Sequence, residues 1–227
     1  MIEAKPFIAR GSKTERCESC LLSIRACICE YKLQYDALAS FYLLMHHDET
    51  FKPTNTGRLI EDCIAGTQRF KWSRTEPSQQ LLEAINHQDI DPYIVFPEGD
   101  DYQERMVDFE LKPGKKPVFI ILDGTWRQAR RMFRHSRYLD HLPVIQPRVT
   151  STSQYKLRKA PVAGQLCTAE VAAEMLKLAG DQKGAEIMSD YFSVFNSHYR
   201  AARLNRPLDD EAEEKKRLKT YQLSSEV

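Results

Sequence analysis

The chain has no run of about 18 apolar residues, so no transmembrane helix is expected. It has no excess of either charge: 33 Lys and Arg stand against 32 Asp and Glu, a formal net charge of +1. That excludes a polycation that meets nucleic acid with its whole surface; basic residues that touch RNA must be gathered locally. The opening residues MIEAKPFIARGSKTERC hold no apolar stretch long enough for a signal peptide, so a cytoplasmic location is the expectation. In that compartment cysteines stay reduced, and clustered ones suggest metal or catalysis before disulfides. The loop KPTNTGR (52–58) lacks the spacing of a Walker P-loop, which argues against nucleoside triphosphate hydrolysis. There is no internal repeat.

What the sequence does hold is an α/β pattern. FYLLM (41–45), RFKW (69–72), YIVF (93–96), VFIIL (118–122) and LPVIQP (142–147) read as strands. Helical spacing marks 58–66, 79–87, 125–136, 168–180 and 185–204, with Thr168 as an N-cap and Gly66 and Gly180 as stops. VFIIL shows no alternation, as in a strand buried on both faces. A charged loop or hairpin joins Gly99 to Pro113, and residues 148–165 form a long irregular loop. Such an order predicts a largely parallel sheet with helices on both faces, whose ligands sit beyond the carboxyl ends of the strands. Three strand ends carry suitable loops: PEG (97–99), DGTW (123–126), and the long loop that closes at GQLCTAE (164–170). The expected organisation is a basic N-terminal segment with a cysteine module (1–36), a catalytic domain (37–205) and a charged tail (206–227) that is a solvated helix or a disordered end.

Cys17, Cys20, Cys27 and Cys29 place four thiols within 13 residues. Closely spaced thiolates supply the four tetrahedral ligands of a structural zinc site, with an iron–sulfur cluster as the other reading. Cys63 reads as core, and Cys167 has no base near it in sequence that would make it a nucleophile.

Asp123 stands where VFIIL ends, at the mouth of the sheet. Gly124 permits a tight turn and close approach, Thr125 can cap the next helix, and Trp126 offers a flat face to a base. The plain alternative is a capped helix with a core tryptophan. The helix itself is less plain: Arg127, Arg130, Arg131, Arg134 and Arg137 occur with no acid between 124 and 139. Surface helices usually mix charges, so this comb suits phosphates. Asn55 or Thr56 could cap the helix at 58, His46 and His47 read as structural, and Glu98 is either a second carboxylate in the cleft or a turn residue.

These segments resemble the DTW-domain family, named for Asp-x-Thr-Trp. RCESCLLSIRACIC, KPTNTGRLI, WSRTEPS, VFPEG, LDGTWRQARRMFRHSRYLDHLPVI and YKLRKAP…GQLCTAEVA resemble family segments in the same order, over roughly residues 6–200. The likeness is strongest to the bacterial tRNA-uridine aminocarboxypropyltransferases. It implies a SPOUT-like fold with S-adenosylmethionine at a knotted C-terminal edge, a tRNA substrate, transfer of the 3-amino-3-carboxypropyl group to uridine N3, and action as a monomer. The implied catalytic residue is Asp123, as general base or as holder of the cofactor's ammonium group. The implied cofactor contacts are Phe96, Pro97, Glu98, Gly99, Asp123, Thr125, Trp126, Leu157, Leu166, Cys167 and Thr168. The implied RNA contacts are Lys52, Asn55, Arg58, Arg74, Arg127, Arg130, Arg131, Arg134 and Arg158. An RNA methyltransferase, a non-catalytic zinc RNA-binding module and a protein-interaction scaffold are the alternatives.

Overall fold

The computed structural model describes residues 14–147, 153, 155 and 166–225. Five parallel strands form one sheet in the order β2-β1-β4-β3-β5. They are β1 (Ser40–Met45), β2 (Gln68–Lys71), β3 (Ile90–Val95), β4 (Lys116–Asp123) and β5 (Val144–Ile145). The central pair β1 and β4 run in register from Ser40↔Val118 to Met45↔Asp123. Their continuous apolar runs are explained by burial on both sides, since strand side chains alternate between faces. Phe41, Leu43, Phe119 and Ile121 point to one face; Tyr42, Leu44, Ile120 and Leu122 point to the other.

The helices divide accordingly. α1 (Gly57–Cys63), α4 (Thr168–Leu178) and α5 (Gln182–Leu204) share the first core, and α2 (Gln79–Ile85) and α3 (Trp126–His135) share the second. The expected helices on both faces are present. The cysteine segment adds Cys20, Leu22, Ile28, Tyr31 and Leu33 to the first core, so it packs as part of the main body. Gly180 ends α4 at a φ of +81°, a left-handed stop.

Three elements differ from the sequence reading. The charged stretch after Gly99 is a 3-10 helix, Asp100–Arg105, and not a hairpin. β3 starts at Ile90, because Lys112 neutralises Asp91 at 2.6 Å and lets an acid sit inside a strand. The charged tail is a helix, α6 (Glu213–Ser225), as one of its two readings had it, but it is not solvated all round: it docks against α5 through a buried Leu218 and the aliphatic stem of Lys215. No helix among the described residues is long and apolar enough to cross a membrane.

Candidate functional site

The carboxyl ends of β3 and β4, with residues 54–56 of the loop between β1 and α1, open into a cavity of about 390 Å³. Its walls are mainly apolar: Val95, Phe96, Ile121, Leu122, Ala129 and Val171. Asp123 is the single acid among the described lining residues, and it is 2% exposed. Its two carboxylate oxygens accept from two different elements. Asn55 Nδ2 donates to Oδ2 at 2.6 Å, and Thr168 Oγ1 donates to Oδ1 at 2.7 Å. Both of these donors are neutral, and each takes one carboxylate oxygen, which fixes the plane of the carboxyl group. Gly57 completes the seat: a Cβ there would lie 2.7 Å from Asp123 Oδ2.

The loop between β1 and α1 holds Asn55 in place. Asn55 Oδ1 accepts the backbone N–H of Arg58 at 3.1 Å, capping α1 as expected, and the fully buried Glu49 holds Lys52 at 2.8 Å. Tyr155 donates to the Thr54 carbonyl at 2.5 Å. On the other side, Thr125 caps α3 in a reciprocal box with Gln128. Gln128 also donates to Asp48 Oδ2 at 2.9 Å and lies 3.1 Å from His46 Nδ1. Gly124 is needed for room: a Cβ there would approach Gln128 Cβ to 3.0 Å. His46 is buried and stacks on Trp72 at 5.7 Å, and burial pushes its imidazole below 6.5. Sequence reasoning found Asp123 but not its partnership with Asn55, nor the bracing by Gln128 and Tyr155, which only the folded chain brings together.

Of the expected cofactor contacts, Phe96, Pro97, Asp123, Thr125, Trp126, Leu166, Cys167 and Thr168 line this cavity. Glu98 and Gly99 line a second cavity that shares Phe96, Pro97 and Trp126 with the first. Leu157 and Arg158 lie outside the described residues. Burial pushes the Cys167 thiol well up, so it stays neutral and is no nucleophile.

The expected RNA contacts separate into two groups. Arg74, Arg127, Arg130, Arg131 and Arg134 lie toward solvent, as does Arg137. His135 sits among them: its imidazole is pushed below 6.5 by loss of hydration and by Arg74, Arg131, Arg134 and Arg137. Asn55 and Arg58 instead turn inward. Asn55 serves Asp123, and the Arg58 guanidinium is taken up by the carbonyls of Cys20 at 2.8 Å and Lys52 at 3.3 Å. Lys52 is half-exposed but paired with Glu49.

The four clustered thiols converge. Cys17 and Cys29 sulfurs are 3.6 Å apart and Cys20 and Cys27 sulfurs 3.7 Å apart, with all four within 4.8 Å of one another. Tetrahedral Zn–S bonds of about 2.3 Å require sulfur separations of roughly 3.8 Å, so the cage has single-ion dimensions. His46, His47 and Asp48 form a second grouping of donor atoms within 4.8 Å.

The model of the DTW domain matches residues 14–200. The chain is also similar to proteins named tRNA-uridine aminocarboxypropyltransferase 2. In Macaca fascicularis the identity is 26% over 175 residues, covering 74% of this chain and 57% of the relative. In Mus musculus it is 26% over 180 residues, covering 75% and 58%. In Drosophila melanogaster it is 24% over 176 residues, covering 73% and 66%. The match thus spans less than two thirds of these relatives' length, and they are animal proteins where the motifs pointed to bacterial ones. No solved structure matches the chain.

Proposed function

The chain belongs to the DTW-domain family, and from that premise we propose that it moves the 3-amino-3-carboxypropyl group of S-adenosylmethionine to N3 of a tRNA uridine. The observation that carries this reading is the buried Asp123, clamped by Asn55 and Thr168 at the base of an apolar cavity. An apolar slot suits adenine, and one fixed anion suits a sulfonium cation. The donor supplies an electrophilic carbon next to sulfur: the N3–C bond forms as that C–S bond breaks, methylthioadenosine leaves, and the N3 proton must be taken up.

In this proposal Asp123 takes that proton, being the only acid among the described residues that line the cavity. The Asn55 and Thr168 donors keep it aimed. Phe96, Pro97, Leu166 and Cys167 wall the adenosine, with Leu157 assigned from the family likeness alone. Residues 166–168 meet the end of β4 through the Thr168–Asp123 bond, and a SPOUT-like knotted edge there is assigned from the family likeness alone. Arg74, Arg127, Arg130, Arg131, Arg134 and Arg137 hold tRNA phosphates, and Arg158 extends that set by family likeness. N3 lies on the pairing edge, so the uridine is taken unpaired or flipped out. The thiol cage holds zinc, and the chain works in the cytoplasm as a monomer.

Mass spectrometry of nucleosides tests this, using unmodified tRNA, S-adenosylmethionine and the protein beside Asp123→Ala. A uridine heavier by one aminocarboxypropyl group, absent with the variant, is the expected result. A gain of one methyl would instead make the chain a methyltransferase, and RNA binding without any product would make it a zinc RNA-binding module.

A further inference from the structure

The second cavity, of about 930 Å³, adjoins the first across Trp126, Phe96 and Pro97. It is built on a rigid floor: Phe96 and Phe133 stack with centroids 4.3 Å apart and planes 5° from parallel, and Tyr102 packs against Phe133 at 4.6 Å. Tyr102 also closes the turn above it by donating to the Pro97 carbonyl at 2.5 Å. Gly99 permits that closure, since a Cβ there would meet the Tyr102 hydroxyl at 2.7 Å. Glu98, next to that turn, lines the cavity.

Charges of both signs line it. Arg130 and Arg134, one turn apart on α3, line it together with Glu98, Asp101 and Glu104. Among the described residues none of these five forms an ion pair, whereas Arg105, on the same wall, is held by Asp140 and by the carbonyls of Leu139 and Leu142. The Tyr102 hydroxyl registers the mixture: burial raises its pKa, Asp101 and Glu98 raise it further, and Arg130 and Arg105 oppose them. Opposite charges kept apart on a preformed floor suit a ligand that carries both signs. They do not suit a phosphate, which three acids would repel.

Building on the functional reading above, we propose that this second cavity is the seat of the donor's amino-acid head, its carboxylate on Arg130 and its ammonium on Glu98 and Asp101. The head then extends across Trp126 and leaves the chain carbon next to sulfur at the junction of the two cavities. Anchoring the head, and not the methyl group, is what selects aminocarboxypropyl transfer over methyl transfer. Arg130 and Glu98 act here as binding and specificity residues, and Arg130 and Arg134 leave the RNA-contact set.

Calorimetry on the full chain tests this without RNA or turnover. The probes are S-adenosylmethionine, decarboxylated S-adenosylmethionine and methylthioadenosine, which lacks the amino-acid head. Arg130→Ala and Glu98→Gln should each weaken S-adenosylmethionine about tenfold or more, as losing a charge-assisted hydrogen bond does. Methylthioadenosine affinity should stay within about twofold. Arg130→Ala should make no further difference to the decarboxylated probe. Unchanged S-adenosylmethionine binding in both variants would overturn the proposal. So would a selective loss in Arg127→Ala, which would move the head to the first cavity, or variants that weaken tRNA alone. A wild-type chain that binds none of the three probes would overturn the functional reading itself, and this seat with it.

Discussion

Gly57 shows how much of the site depends on one missing methyl group. It opens α1, where alanine is ordinarily better than glycine by about 0.5–1 kcal/mol. Here an added Cβ would stand 2.7 Å from Asp123 Oδ2 and 3.0 Å from its Cγ, so the carboxylate must shift off Asn55 or Thr168. Gly57→Ala should therefore leave the unfolding temperature within a few degrees of wild type while lowering turnover about a hundredfold. A variant with full turnover would mean that the carboxylate need not be held where it is. Asp123 itself was legible in the sequence, because an acid that ends an unbroken apolar strand is exceptional. Its clamp was not legible: Asn55 is 68 residues away and Thr168 is 45, and no local pattern relates them. The same limit assigned Asn55 and Arg58 to an RNA surface, since a polar loop read in isolation looks solvated.

At the scale of elements, legibility followed the strength of the apolar signal. β1 and β4 stood out because burial on both faces demands a run without alternation. The start of β3 was hidden by Asp91, whose charge is cancelled by Lys112 from outside the strand. The docking of α6 was hidden because it uses few apolar residues, Leu218 chief among them. α3 was legible twice, by its Thr125 cap and by its arginines, and it carries the next prediction. Arg131 on α3, Arg137 just beyond it and Arg74 from the loop after β2 surround His135 and line neither cavity. Replacing all three with alanine should leave the fold and the donor affinity intact. It should flatten the dependence of log tRNA affinity on log salt by about 0.9 for each phosphate left without its arginine, roughly 2 to 3 in all. An unchanged slope would place the phosphates elsewhere on the molecule.

Across the whole molecule, the thiol cage and the candidate site are joined by a short series of hydrogen bonds. The Cys20 carbonyl accepts from Arg58, Arg58 N–H donates to Asn55 Oδ1, and Asn55 Nδ2 donates to Asp123. A second tie runs beside it: Asp62 on α1 accepts from Lys32, just after the cage, at 2.5 Å, and from Tyr191 on α5 at 3.0 Å. Burial lowers the pKa of the Arg58 guanidinium from its ordinary value, so this buried group depends on its two carbonyl partners for compensation. The cage therefore fixes the backbone that positions the acid, and a metal in it would act on catalysis without touching substrate. Stripping the metal with a strong chelator should lower the unfolding temperature by roughly 10 °C, as a loss of several kcal/mol does in a chain of this length. Turnover should fall in the same step and return when zinc alone is restored. Arg58→Met separates the two effects: the metal content should stay at one ion per chain, as read by atomic absorption, while turnover drops because the guanidinium no longer ties the Cys20 and Lys52 carbonyls together and the loop that carries Asn55 comes loose from the cage. If chelation lowers stability but leaves turnover of the folded fraction unchanged, the bonds that run from Cys20 to Asp123 support the fold and do not tune the acid.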